Sequence, residues 1–149
     1  MIREYRPEDL AAVLTVWADA SAVGHPFLTD EFLALERRNV EQVHLPSAET
    51  WVWDANGRVA GFIALVDKEV GGLFVDPVLH GRGIGRALVE HARRLRGELE
   101  VEVFKENDLG LAFYSACGFT ELSQGVHRET GRAVIRLRLP SPEPSTERP

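Results

Sequence analysis

Cysteine is nearly missing from these 149 residues: Cys117 stands alone. A single cysteine forms no internal disulfide, which points to a reducing compartment. Long apolar runs are missing as well. The opening MIREYRPEDL has no signal-peptide pattern, and no stretch reaches the length of a membrane span. A cytoplasmic protein with no membrane partner is the expectation. Nor is there an excess of basic residues: 17 Lys and Arg stand against 23 Asp and Glu, a net charge of −6. That balance argues against nucleic acid as a partner and mildly favours a cationic substrate. His44, His80 and His127 keep no metal-ligand spacing with His91, so no metal is expected. No internal repeat and no second domain is visible.

What is present is a patterned α/β chain. Ile2 to Tyr5 reads as a short strand, and Pro7 suits the first turn of a helix bearing Leu10, Val13, Leu14, Trp17 and Ala20. Thr29-Asp30-Glu31 starts a second helix, with Phe32, Leu35, Val40 and Val43 on its buried side and Pro46 at its end. Strands follow at 49–54 and 59–67, joined by an Asn56-Gly57 hairpin turn. A third runs from Glu69 to Val75, with a Gly pair that invites a bulge. The clearest helix carries Ile84, Ala87, Leu88, His91, Ala92 and Leu95 as one stripe. A strand with unlike faces (99–103) comes next, then a helix capped by Asn107 or Asp108 and ended by Gly118, and strands at 119–122 and 133–139. The domain spans 1–139, and the Pro-rich stretch 140–149 reads as a disordered tail.

Between the third strand and the stripe helix lies a glycine loop. Unpaired N–H groups at a helix start, added to the helix dipole, hold an anion, and glycine lets the ligand approach the backbone. Two familiar phosphate loops are excluded. A Walker loop needs Gly-x-x-x-x-Gly-Lys-Ser/Thr, which the chain lacks. A dinucleotide fingerprint, Gly-x-Gly-x-x-Gly/Ala, meets Arg86 when started at Gly81 and Leu88 when started at Gly83.

His80-Gly81-Arg82-Gly83-Ile84-Gly85 instead resembles the Gln/Arg-x-x-Gly-x-Gly/Ala loop of the GCN5-related N-acetyltransferases, with His80 where Gln or Arg is usual. Glu106 to Phe119, ENDLGLAFYSACGF, resembles the same family's second signature, and the element order resembles it over residues 1–139. The His25-Pro26-Phe27 turn resembles small bacterial members.

The resemblance implies a mixed, mostly antiparallel sheet with two parallel strands splayed around acetyl-CoA and helices on both faces. It implies an N-acetyltransferase with acetyl-CoA as co-substrate, transferring acetyl by direct attack of an amine in a ternary complex. Backbone groups of Leu73, Phe74 and Val75 would meet the pantetheine arm. The loop glycines, Gly81, Gly83 and Gly85, and the amides from Arg82 through Ile84 to Arg86 would hold the pyrophosphate. Asn107 would bond the cofactor or cap its helix. Tyr114 would be the general acid, since a tyrosine of pKa about 10 stays protonated at neutral pH. Glu69 would be the base acting through water, with His25 as its rival; His25 and Phe27 would meet the acceptor. A small-molecule amine is the favoured acceptor. A protein lysine or N-terminus, and a non-catalytic acyl-CoA sensor, are the alternatives; the chain is expected as a monomer or homodimer. Cys117 reads as a buried small residue, and Trp51 and Trp53 as core packing.

Overall fold

The protein is described by a computed structural model over residues 1–142; the expected tail lies outside these from residue 143 onward. Strand β1 (Ile2–Glu4) leads through a tight turn at Pro7–Asp9 into α1 (Leu10–Gly24). Helix α2 (Asp30–Asn39) starts at Thr29, whose side-chain oxygen accepts the Phe32 N–H at 3.1 Å. The expected single helix up to Pro46 is broken here. Residues Val40–His44 form a π turn, and one further helical turn, α3 (Leu45–Ser47), carries Pro46. The extra residue per turn slips the helical face. Leu45 is therefore buried, while Leu35 and Val43, expected inside, are 42% and 53% exposed.

Strands β2 (Glu49–Ala55) and β3 (Arg58–Val66) form the hairpin, with Asn56 at φ 56° and Gly57 at φ 92°. Then follow β4 (Glu69–Val75), α4 (Ile84–Arg96), β5 (Leu99–Phe104), α5 (Asp108–Ala116), β6 (Thr120–Val126) and β7 (Ala133–Leu139). Strand β6 thus begins one residue later and runs further than the sequence predicts. Along α4 the buried stripe is Ile84, Leu88, Val89 and Ala92; Leu95 is half exposed.

The seven strands make one sheet in the order β1-β2-β3-β4-β5-β7-β6. All pairs are antiparallel except β4 with β5. Helices cover both faces. Val13, Leu14, Val16 and Trp17 of α1 pack with Val52, Val59 and Phe62 on one side. Leu88, Val89 and Ala92 of α4 pack with Ile63, Val70, Leu99 and Val101 on the other, where Tyr114 and Phe119 join them. Each fully buried Val, Leu or Ile here contributes about 1.5–3 kcal/mol relative to exposure.

One irregularity shapes everything that follows. Ala64 faces Gly72 and Leu65 faces Val70, so Gly71 is an extra residue in β4. A bulge bends its strand and shifts which residues share a face. Val70 before it and Leu73 and Val75 after it all belong to the α4 side, although strict alternation would separate them. At the same point β4 leaves β5. The two strands pair at Glu69–Glu100 and Val70–Val101 and nowhere beyond.

Candidate active site

Past Val70 and Val101 the facing edges of β4 and β5 have no strand partner. The gap opens into a cavity of about 870 Å³. Its walls are β4 from Val70 to Val75, β5 from Val101 to Phe104, the glycine loop, α5, and the end of α1 with the start of α2.

The loop forms the floor for an anion. Gly81 and Gly83 have φ 80° and 83°, backbone that other residues enter only at a cost. Backbone bonding of α4 begins with the Ala87 N–H, which reaches the Gly83 carbonyl at 3.0 Å. Among the described residues, the N–H groups from Gly81 to Arg86 find no backbone carbonyl. That is the donor set a pyrophosphate takes at a helix start. His80 also lines the cavity, and its Nε2 donates to the Val75 carbonyl at 2.9 Å, pinning the loop to the end of β4. Asp76 accepts the Val78 N–H at 3.0 Å and is paired with Arg58. The Arg86 side chain donates to the Ala116 carbonyl at 2.9 Å, so it closes the end of α5 rather than reaching toward the loop. Gly85 lies against Phe113 of α5, and Arg82 is exposed.

Tyr114 enters the cavity wall from α5, packed between Phe113 and Phe119 at ring distances of 5.2 and 5.1 Å. Burial pushes its hydroxyl well above the ordinary tyrosine pKa, so it is protonated at any physiological pH. Among the described residues no side chain or carbonyl accepts from it.

Asn107 and His25, expected at cofactor and acceptor, meet each other. The Asn107 Oδ1 accepts the Gly110 N–H at 2.9 Å, and its Nδ2 lies 3.2 Å from the His25 Nε2. Both residues line the cavity. Phe27 does not line it. Its ring packs on His25 and Phe104, with the Arg132 guanidinium over it at 5.1 Å.

Glu69 also stands outside the cavity. It opens β4 at the paired end, where Arg136 holds its carboxylate at 2.8 Å and also reaches Glu100 at 3.2 Å. A strand's first residue is far along the chain from its splayed end, and an ion pair occupies the lone pairs a base needs. Two carboxylates line the cavity: Glu36 of α2, which accepts from the Asn39 Nδ2 at 3.2 Å, and Glu102 of β5. Val101 and Val103 point into the α4 core, so Glu102 projects from the opposite face. Arg136 stands opposite it in the β5–β7 register yet turns to Glu69 and Glu100. Among the described residues Glu102 has no ion pair. Phe104, His127 and Phe32 line the same cavity, His127 tilted against Phe104 at 5.1 Å and edge-on to Phe32 at 6.0 Å. In the sequence Glu102 and Phe104 are merely the outward half of an alternating strand, and Phe32 reads as a core residue of its helix.

Trp51 packs on His91 at 4.3 Å, away from the cavity, and the His91 Nε2 is buried without a partner. Burial raises the Cys117 thiol pKa, which leaves it a poor nucleophile. Among the described residues, no cluster of three His, Cys, Asp or Glu is placed to hold a metal ion, and no helix is long and apolar enough to cross a membrane.

A splayed parallel pair above an amide-lined loop defines an acyl-CoA-dependent acetyltransferase site, and comparison with known proteins agrees. The chain belongs to the acetyltransferase (GNAT) domain family, whose model matches residues 46–121. It is 32% identical over 120 residues to the peptidyl-lysine N-acetyltransferase YiaC of Escherichia coli, covering 80% of this chain and 82% of that one. It is 33% identical over 139 residues to the peptidyl-lysine N-acetyltransferase YjaB of the same organism, covering 93% and 94%. The solution structure of apo-form YjaB superposes with a TM-score of 0.84 at 29% identity, covering 93% of this chain and 95% of that one. The PaiA N-acetyltransferase of Thermoplasma acidophilum, solved with coenzyme A, shares the fold at TM-score 0.76 and 18% identity, covering 91% and 96%. The protein is an N-acetyltransferase that uses acetyl-CoA as its co-substrate.

Proposed function

We propose that this N-acetyltransferase acetylates the side-chain amine of lysine in a protein or peptide, by direct attack within a ternary complex. The observation that carries the mechanism is the placement of Glu102 and Tyr114. They reach one gap from opposite faces of the sheet, Glu102 from the open face of β5 and Tyr114 from the α4 side. The acceptor amine arrives as an ammonium and must lose a proton; Glu102, free of any ion pair, takes it directly or through water. The departing thiolate must gain one, and Tyr114 holds a proton at every working pH. Acetyl-CoA supplies the activated acyl group. The unpaired edges of β4 and β5 align its arm, and the amides from Gly81 to Arg86 hold its pyrophosphate.

The acceptor assignment departs from the small-molecule amine expected from sequence. It is supported by the names of the two relatives, which span most of this chain. It is also supported by the aromatic side chains of Phe32 and Phe104 beside a free carboxylate, a surface suited to an alkyl stem ending in a cation. The test is release of coenzyme A thiol in the presence of acetyl-CoA with lysine peptides, their Nα-blocked Arg counterparts, and small polyamines. Turnover that requires the lysine peptide is expected. Turnover with polyamines alone would return the acceptor to the small-molecule class.

A further inference from the structure

The Asn107 amide occupies a slot that two glycines leave open. A Cβ on Gly110 would fall 2.5 Å from its Nδ2, and one on Gly24, the last residue of α1, 3.4 Å from its Oδ1. Glycines flank it on both sides, one from each helix. Its Oδ1 is committed to the Gly110 N–H at the start of α5. The remaining contact, Nδ2 to His25 Nε2 at 3.2 Å, must then run from amide donor to imidazole acceptor. An imidazole that accepts at Nε2 is neutral and carries its proton on Nδ1.

We infer that His25 is a positioning residue for acetyl transfer: as the Nδ1–H tautomer it takes a hydrogen bond from Asn107 and so ties the α1–α2 turn to the helix bearing Tyr114. The inference rests on the acetyl-transfer reading above. The turn and the start of α5 are adjoining walls of one cavity, and neither is joined to the other by the sheet. His25 is fixed at its other side by Phe27 and Phe104, at ring distances of 5.8 and 5.3 Å. The direct polar contact between turn and helix is that of His25 with Asn107; Arg132 adds a bridge, donating to the Phe27 carbonyl at 2.8 Å and to Glu106, just before α5, at 2.6 Å. Burial lowers the His25 pKa, which keeps the accepting form in place. The charged and titratable groups that face this cluster are His127, packed on Phe104, and Arg132, held over Phe27 and paired with Glu106 at 2.6 Å.

The test begins with wild-type protein labelled with 15N histidine and no substrate present. Ring nitrogen shifts should show Nε2 unprotonated and Nδ1 protonated at neutral pH, with titration below the usual histidine value of about 6.5. In Asn107→Asp the carboxylate still caps α5 but offers His25 an acceptor, so its titration should move above that value. In the enzymatic arm, with acetyl-CoA and a lysine peptide, His25→Ala should lower kcat by about tenfold or more while acetyl-CoA Kd stays within about twofold. His25→Gln, whose Oε1 can accept from the Asn107 Nδ2, should recover activity to within about threefold of wild type. A protonated Nε2 in the wild type overturns the inference. So does a His25→Gln variant as slow as His25→Ala, or a His25→Ala variant with undiminished kcat. If wild type transfers no acetyl group, the positioning role falls together with the acetyl-transfer reading. The tautomer, read without substrates, tells that failure from one confined to His25.

Discussion

Gly85 and Phe113 touch so closely that a Cβ at position 85 would lie 2.9 Å from the Phe113 ring. This contact joins the helix that starts at the glycine loop to the helix that carries Tyr114. Gly85→Ala gains helix propensity of about 0.5–1 kcal/mol but forces the ring aside at about 1–3 kcal/mol. Thermal unfolding should therefore show a net loss of only about 1 kcal/mol. The larger effect should be on turnover, since Tyr114 adjoins the displaced ring. A lowered kcat with near-native stability is the expected result, measured by thiol release and by calorimetry.

Removing the Tyr114 hydroxyl separates chemistry from binding. Among the described residues it bonds to no protein group, so Tyr114→Phe should unfold at nearly the wild-type temperature. Loss of a general acid costs about 10²–10⁴ in rate. The variant should lose kcat on that scale while acetyl-CoA affinity, measured by calorimetric titration, changes less than about twofold. Unchanged turnover would remove Tyr114 from the mechanism.

Of the three carboxylates on β4 and β5, Glu69 and Glu102 should behave oppositely. Glu102→Gln should lower kcat/KM about 10²-fold near neutral pH, because its side chain is the one free carboxylate expected to take the amine proton. Glu69→Gln breaks a half-exposed ion pair with Arg136, worth at most about 1 kcal/mol. Its activity should stay within about twofold of wild type. Rates of both variants across a pH series decide between the two positions, since only loss of the base flattens the acid limb.

Acid should weaken the N-terminal corner of the sheet. Arg3 binds Asp9 through two hydrogen bonds of 2.9 Å, and this pairing holds the Asp9 carboxyl below the usual aspartate range. A carboxylate with a depressed folded-state pKa adds stability that is present above its unfolded value, about 3.9, and disappears as pH falls through the folded value. Asp9→Asn should cost about 1–3 kcal/mol at pH 7, the pair being largely buried, and progressively less as pH falls and the Asp9 carboxyl of the wild type takes up its proton. Urea unfolding of both proteins at pH 7 and along a series of falling pH measures the narrowing difference.

Where local chemistry decides, the chain could be read directly. Asn56-Gly57 demanded a tight turn, the Gly71-Gly72 pair marked the bulge, and the loop at Gly81 and Gly83 stood between a strand and an amphipathic helix. These features are determined by φ preference and by periodicity, which travel with the sequence. Contacts across the fold do not. Arg136 chooses Glu69 and Glu100 over Glu102, and this follows from a three-strand register that no local window contains. Arg86 was a candidate near the phosphates, yet the C-terminus of α5 offers an unpaired carbonyl within its reach. The π turn at Val40–His44 likewise hides in a segment with no Gly or Pro of its own to mark a break.

Gly71 bears on how this chain can change over generations. A lost codon in most surface turns shortens a loop and leaves the rest intact. A lost codon at position 71 would leave Leu73 and Val75 facing α4 and Phe74 facing α1, since plain alternation from Val70 then gives the same faces; what it removes is the bend. It would also let β4 run on alongside β5, sealing the gap with hydrogen bonds of its own. A better-ordered sheet would be an inert one, so descendants of this gene should vary freely in length around β4 but not within it.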